Sequence, residues 1–140
     1  MPYVAETEFL FSLRPEDRWN RLSRKILQKV SQHRIQLSVL ESAVLEMRTV
    51  LYSQGKGSRE TYTSLILIKR KLVKHGISEE ATSIDDYILA DKLREDFGEL
   101  TYFDSVHAAA ALRRNQTLLT NDSVYDRCEV KTVTFAELAA

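Results

Sequence analysis

The chain has 140 residues, of which 44% are hydrophobic and 29% charged, and its formal net charge at pH 7 is zero. These values predict one folded domain over residues 1–140, and the single cysteine, Cys128, excludes an internal disulfide and a zinc site of paired cysteines. No apolar run reaches the roughly 20 residues that span a bilayer, and the opening lacks the cations of a signal peptide, so we expect a cytoplasmic protein.

The spacing of apolar residues predicts short strands that alternate with helices. In chain order the predicted elements are a strand at Tyr3–Ala5, a helix at Thr7–Leu13, a basic helix from about Glu16 to Val30, a strand at Arg34–Leu37, a helix capped by Ser38, a helix at Arg59–Lys74, a helix at Ser83–Phe97, a helix at Ser105–Arg114 introduced by Asp104, a strand at Thr117–Thr120, a strand at Glu129–Thr134 and a helical turn at Ala136–Leu138. This alternation predicts a three-layer α/β/α architecture, with a short, mostly parallel sheet flanked by helices.

Basic and acidic residues are segregated along the chain although their totals cancel. Residues Arg14–Arg34 contain seven Lys or Arg against two acids, and Lys56–Lys74 contain six against one. Residues Glu79–Asp104 reverse the balance, with nine acids and two bases. A basic surface of this kind can bind a polyanion such as a nucleic acid. The alternative interpretation is that each run is the solvated face of an amphipathic helix.

Four acidic residues are candidates for a common site. In open α/β sheets, sites form beyond the carboxyl ends of the strands. Glu6 and Asp122 follow predicted strands, Asp104 stands at a helix entry, and Glu46 lies at the margin of a buried helical stripe. Crowded carboxylates repel one another unless a divalent cation compensates them, and oxygen ligands favour Mg²⁺ or Mn²⁺ over zinc.

Each candidate also has a purely structural interpretation. Asp104 and Glu6 are suited to cap helices, Asp122 to form a turn, and Glu46 to lie on the surface. His107, one turn after Asp104, could reach the same cleft, but it is interpreted first as a semi-buried histidine whose hydrogen bonds are satisfied.

Four segments of the sequence resemble the motifs of PIN-domain proteins, in the same order. The third segment places an aspartate before an alanine-rich helix, and the fourth contains a Thr-x-Asp core. The segments are Val4–Leu10, Ser38–Met47, Phe103–Ala109 and Leu118–Asp126.

This resemblance implies a PIN-like fold and a VapC-type ribonuclease toxin of a toxin–antitoxin pair. It implies that Glu6, Glu46, Asp104 and Asp122 hold one or two Mg²⁺ or Mn²⁺ ions for RNA hydrolysis. Hydrogen bonds from Thr7 to Glu6 and from Thr120 to Asp122, or from either threonine to a metal-bound water, would support the site. The other implied participants are the supporting residue Asp126, an RNA-binding surface at Arg14, Arg18, Arg21 and Lys25, a VapB-like antitoxin, and a homodimer interface at Tyr62, Leu65 and Ile66.

The chain departs from the family pattern at its first motif. Glu6 stands where the family usually has aspartate, and Glu8 stands where it usually has asparagine or serine. The longer side chain and the added charge leave three outcomes open: metal binding with an altered geometry, weaker metal binding, or a shift toward Mn²⁺. Two alternatives therefore stay open: a PIN-like module that binds RNA or protein without cleaving, and a housekeeping RNA-processing nuclease. A nucleotide-binding domain is disfavoured because the four glycines form no phosphate-binding loop.

Overall fold

The computed structural model describes residues 2–140, in which five short strands form one sheet. The strands are β1 (Pro2–Ala5), β2 (Gln36–Leu40), β3 (Ser78–Glu80), β4 (Thr117–Leu119) and β5 (Thr132–Val133). They stand in the order β3-β2-β1-β4-β5, and every neighbouring pair is parallel. Parallel strands need helical crossovers, so this sheet confirms the predicted α/β fold.

Helices supply the crossovers between the strands and cover the sheet. They are α1 (Thr7–Ser12), α2 (Asn20–Ser31), α3 (Glu41–Ser53), α4 (Ser58–Lys74), α5 (Ile84–Asp96), α6 (Tyr102–Arg113) and α7 (Phe135–Ala139), and a 3₁₀ turn spans Ser123–Arg127. α5 packs against α6, α2 packs against α7, and α3 contacts α1, α4 and α6. None of the helices within residues 2–140 is both long and apolar enough to cross a membrane.

The two central strands carry the most deeply buried part of the core. Val4 and Ala5 of β1 and Leu118 and Leu119 of β4 are inaccessible to solvent. Apolar runs of this kind are typical of parallel strands that are covered on both faces. The core therefore fixes the central strands, and with them the points at which the loops leave their carboxyl ends.

Helix α6 owes its close packing to small side chains. The alanines at positions 108–111 are all inaccessible to solvent. With no side chain beyond Cβ, they let α6 approach α3, α5 and β4 closely. This packing fixes the position of the first turn of α6, which carries Asp104.

The predicted stop after the fourth helix is confirmed at Gly76. This residue has φ +74°, a conformation that glycine adopts without steric cost. The amide of Ile77 then donates to the carbonyl of Leu72 at 2.9 Å, which satisfies one of the last helical acceptors.

Two predicted helix starts were wrong. α2 begins at Asn20 rather than Glu16, because the chain first makes a turn in which Asp17 accepts from the Trp19 amide at 2.9 Å. Ser38 caps no helix: it lies inside β2, paired with Val4 of β1 and Ser78 of β3.

Other boundaries differ because sheet pairing and caps decide them. The strand β3 was not predicted, since its residues are polar and it exists by pairing with β2. Helix α6 starts at Tyr102, so Asp104 lies in its first turn and forms a capping box with Thr101. β2 is shifted toward the carboxyl side of the predicted strand, and β5 retains only Thr132–Val133 of its prediction.

A buried ion-pair cluster joins α5 to the end of α6. The side chain of Asp86 is inaccessible to solvent and accepts from Arg113 at 2.8 Å and Arg114 at 3.2 Å. It also accepts from the amide of Ser83 at 2.9 Å. Burial alone would raise the pKa of Asp86, but these hydrogen bonds outweigh it and hold the pKa below its usual value.

Asp86→Asn is expected to lower the free energy of unfolding by about 2–4 kcal/mol at pH 7, since it removes the buried carboxylate that two arginines share and leaves them with more exposed acidic partners. A depressed pKa stabilises the fold above the unfolded-state value and loses that contribution as pH falls through the folded-state value. Urea unfolding at pH 7 and in acid should therefore show a loss that shrinks in acid. The control is Asp91→Asn, which changes an exposed acid on the same helix that forms no ion pair among the described residues. A loss independent of pH would contradict the account.

Candidate functional site

The strand order places a crevice between β1 and β4. From β1 the chain proceeds to β2 and β3 on one side, and then returns to β4 and β5 on the other. Ligand sites in open parallel sheets form where the strand order reverses in this way, outside the carboxyl ends. Glu6 follows β1 directly, and Thr120 and Asp122 follow β4.

Glu6 is a buried carboxyl group that caps helix α1. Its backbone is extended, and its carboxylate accepts from the amide of Glu8 at 3.0 Å. Only 7% of the residue is exposed. Burial raises the pKa of Glu6 well above its ordinary value, and the charges of Glu8, Glu46 and Asp104 raise it further. The structure therefore brings these carboxylates together, as the sequence predicted for three of them.

The carboxylate of Asp104 accepts one hydrogen bond from the N-terminus of its own helix, α6, and one from the 3₁₀ turn. Its Oδ2 accepts from the amide of Thr101 at 3.2 Å, and its Oδ1 accepts from the hydroxyl of Tyr125 at 3.2 Å. Tyr125 is fully buried. Burial, followed by the charges of Glu6, Asp104 and Glu46, raises the pKa of Tyr125 well above its ordinary value. Its hydroxyl thus lies among three acids, a position that the sequence analysis missed because no spacing links it to them.

Glu46 projects from α3 with its side chain 24% exposed. Its Oε1 accepts from the hydroxyl of Thr7 and from Nε2 of His107 at 3.0 Å. Burial would raise the pKa of Glu46, but these two bonds outweigh it and hold the pKa below its ordinary value. The predicted bond from Thr7 to Glu6 is not formed, because the Thr7 hydroxyl is directed to Glu46 instead.

Asp122 approaches the site beside Glu8. The carboxylate of Glu8 accepts from the amide of Asn121 at 2.8 Å. Burial raises the pKa of Glu8, and the charge of Asp122 raises it further. Asp122 is exposed and caps the 3₁₀ turn, with its carboxylate accepting from the amide of Val124 at 3.0 Å. Thr120 contacts it through the backbone: the amide of Asp122 donates to the Thr120 hydroxyl at 3.0 Å.

Asp126 is exposed in the 3₁₀ turn, away from these hydrogen bonds. It lies close to Cys128, whose pKa is raised by burial and, to a smaller extent, by the Asp126 charge. Among the described residues, Asp126 forms no hydrogen bond with the acids described above. Its supporting role therefore stays a prediction.

The predicted basic residues begin next to the acids and continue away along α2. Arg18 stacks over the ring of Trp19 at 4.6 Å, and its positive charge lowers the pKa of Glu8, although burial raises that pKa more. A groove of about 450 Å³ runs beside them and is lined by Glu8, Phe11, Arg14, Asp17, Arg18, Trp19, Val50 and Gln54. Arg21 and Lys25 lie farther along α2 and are exposed.

Five carboxylates therefore share this end of the sheet, and we call them the acidic cluster: Glu6, Glu8, Glu46, Asp104 and Asp122. Within residues 2–140, no charged nitrogen of a Lys or Arg side chain lies within 4 Å of a carboxylate oxygen of the cluster. Hard oxygen donors without cationic partners fit Mg²⁺ or Mn²⁺ in chemical type.

The carboxylates of the cluster are oriented by hydrogen bonds from the protein itself. Over the same residues, no three His, Cys, Asp or Glu side chains form a group that could hold a metal ion as placed. Their oxygens instead accept from nearby amides and hydroxyls, such as the amide of Glu8 and the hydroxyl of Tyr125. Metal binding would require side-chain rotations in the cluster.

A family model described as "PIN domain" matches residues 3–131 of this chain. A search of curated protein sequences found no significant match.

Several solved structures share the fold. VapBC2 from Rickettsia felis, bound to a DNA fragment from its promoter, has a TM-score of 0.73 at 14% identity, with 96% of this chain and 98% of that chain covered. VapBC-1 from nontypeable Haemophilus influenzae has a TM-score of 0.70 at 16% identity, with 97% and 99% covered. A toxin–antitoxin complex from Klebsiella pneumoniae has a TM-score of 0.62 at 16% identity, with 95% and 97% covered.

Proposed function

Because this chain belongs to the PIN-domain family, whose members are generally nucleases, we propose that it is a metal-dependent ribonuclease and the toxin of a VapBC-type pair. The observation that carries the proposal is the acidic cluster at the crevice between β1 and β4. Burial and three neighbouring acids make the ionised form of Glu6 unfavourable, so the fold maintains a repulsion that a cation would relieve. Repulsion of this kind is typical of a site built for function.

In this proposal Glu6, Glu46, Asp104 and Asp122 hold Mg²⁺ or Mn²⁺. Such an ion, when bound, acts as a Lewis acid that activates water and stabilises charge at the phosphate. The chain's own groups keep the carboxylates in place: Tyr125 holds Asp104, and Thr7 holds Glu46. Glu8 contributes a fifth carboxylate and fixes the Asn121 backbone beside Asp122.

The proposed path of the RNA runs from the acidic cluster into the groove and along α2. Arg14 and Arg18 line the groove, and Arg21 and Lys25 extend the positive surface. These cations would neutralise successive phosphates, so affinity should fall as salt rises. The aromatic face of Trp19 is covered by Arg18, which places a guanidinium rather than a bare ring at the groove.

The partner assignments follow from the fold neighbours and from one exposed apolar face. The three similar structures described above are VapBC or toxin–antitoxin complexes, which supports a VapB-like antitoxin and a cytoplasmic location. Tyr62 is 51% exposed and Ile66 is 45% exposed on α4, next to half-buried Leu65. We assign this face to a homodimer contact.

A PIN-like module that binds RNA without cleaving it is the second candidate. It is favoured by Glu6 in place of the usual aspartate and by the lack of a ready metal-binding group in residues 2–140.

The assay that separates the two candidates is cleavage of a mixed pool of single-stranded RNAs by the purified chain. With Mn²⁺ or Mg²⁺ we expect cleavage, and with excess EDTA we expect it to stop, because the carboxylates alone cannot activate water. RNA binding without cleavage in either metal would favour the binding module. Cleavage that persists in EDTA would exclude the metal-dependent mechanism.

A further inference from the structure

A chain of hydrogen bonds runs behind the acidic cluster and joins three helices. Ser42 and Glu46 lie one turn apart on α3, and His107 of α6 lies between them. Its Nδ1 lies 3.0 Å from the Ser42 hydroxyl, and its Nε2 lies 3.0 Å from Glu46 Oε1. Thr7 of α1 completes the arrangement, since its hydroxyl donates to the same Glu46 oxygen and lies 3.3 Å from Nε2.

The direction of these bonds is fixed by chemistry. A carboxylate oxygen only accepts, so Nε2 must carry the proton that is donated to Glu46. In the neutral ring Nδ1 is then an acceptor, and the Ser42 hydroxyl donates to it. The ring is fully buried and stacks on Phe103 at a centroid distance of 6.2 Å. Ser42 is only 3% exposed, so water does not compete for these groups.

We propose that His107 is a positioning residue for the nuclease site: with Ser42 behind it, it holds the Glu46 carboxylate at the acidic cluster. Asp104 and His107 lie three residues apart on the same face of α6, so one helix presents a cluster carboxylate and the residue that orients another. The inference rests on the proposed function, because it assigns Glu46 to metal binding. Partners that orient a metal-binding carboxylate commonly change metal affinity or activity 10- to 100-fold when they are replaced.

Two substitutions of His107 and one of Ser42 distinguish a positioning role of the histidine from a role in packing alone. His107→Gln can still present an amide N–H near the position of Nε2, whereas His107→Asn places its amide near Nδ1 and loses the bond to Glu46. Ser42→Ala leaves the histidine in place but removes the hydrogen bond at Nδ1 that helps to hold the ring against Glu46. This substitution is small enough to leave the α3–α6 packing intact, so it keeps the test valid where His107→Asn fails to fold.

The first measurement is the Mn²⁺ concentration that gives half of the metal-induced rise in melting temperature, which needs no RNA. We expect His107→Asn to raise it about 10- to 100-fold, Ser42→Ala to raise it less, and His107→Gln to restore most of the affinity. Equal Mn²⁺ affinity in wild type and both His107 variants would overturn the inference. If the wild type binds Mn²⁺ with this dependence but cleaves no RNA, the nuclease proposal fails while the positioning role stands.

The second measurement is a double-mutant cycle for RNA cleavage between His107→Asn and Glu46→Gln. Because His107 acts through Glu46, its substitution should lower cleavage in the wild type but cause no further loss beside Glu46→Gln. Losses that multiply would indicate an independent packing effect and overturn the inference. Unchanged cleavage in Glu46→Gln alone would also overturn it, since no essential carboxylate would then be positioned.

Discussion

Asp104→Asn is expected to lower RNA cleavage at least about 100-fold while leaving the melting temperature nearly unchanged. The substitution removes a negative charge from the acidic cluster, and with it a ligand for the proposed cation. It keeps the fold intact, because the amide oxygen of Asn can still accept from the Thr101 amide while its NH2 group donates to the Tyr125 hydroxyl, which can act as an acceptor. Initial cleavage rates with Mn²⁺ and a thermal unfolding curve measure the two effects.

Asp85→Asn is the matched control for this substitution. Asp85 also lies in the first turn of a helix, with 66% of its side chain exposed, but on α5 rather than at the crevice. The Asp85→Asn variant should cleave RNA at the wild-type rate. If Asp104→Asn cleaves as fast as this control, Asp104 does not belong to the catalytic site.

Glu6→Gln is expected to raise the melting temperature in the absence of metal while abolishing cleavage. Ionised Glu6 is buried beside three other acids, and its neutral replacement removes that repulsion. The amide oxygen of Gln can still accept from the Glu8 amide and cap α1. Gains of about 1–2 kcal/mol are common when a strained functional group is neutralised, and they correspond to about 3–8 °C in a chain of this size.

The raised pKa of Glu6 also predicts how the difference in stability between Glu6→Gln and wild type varies with pH. A carboxyl whose folded-state pKa is raised contributes stability at low pH and loses it as pH rises from the unfolded-state value through the folded-state value. The stability difference between Glu6→Gln and wild type should therefore be small near pH 4 and grow toward neutral pH. The exposed residue Glu129 provides the control, because Glu129→Gln should produce no such divergence. A Glu6→Gln protein less stable than wild type at neutral pH would contradict the proposed repulsion.

Much of this fold could be predicted from the sequence because its patterns are local. The apolar run at Thr117–Leu119 and the stop at Gly76 depend on neighbouring residues, and the structure confirms both. The positions of Glu6 and Asp122 relative to their strands were predictable for the same reason. The convergence of Glu6, Glu46 and Asp104 needed one further step, the resemblance of the four motifs to a known family.

The remainder depends on contacts between distant parts of the chain. β3 is a strand because β2 lies beside it, and nothing in Ser78–Glu80 itself favours that state. Thr7 and Glu46 are 39 residues apart, and Thr7 and His107 are 100 residues apart. Tyr125 reaches Asp104 across 21 residues. No periodicity encodes such pairs, so the hydrogen bonds that orient the carboxylates were invisible in the sequence.

The central claim is that the acidic cluster binds a divalent cation that relieves its repulsion, and a Mn²⁺ titration of the melting temperature tests it most directly. The account predicts that the wild-type melting temperature rises with Mn²⁺, with a gain of about 2.7 kcal/mol at 100 times the dissociation constant. It also predicts no rise in the Asp104→Asn, Asp122→Asn double variant. An equal rise in both proteins, or no rise in the wild type, would contradict it.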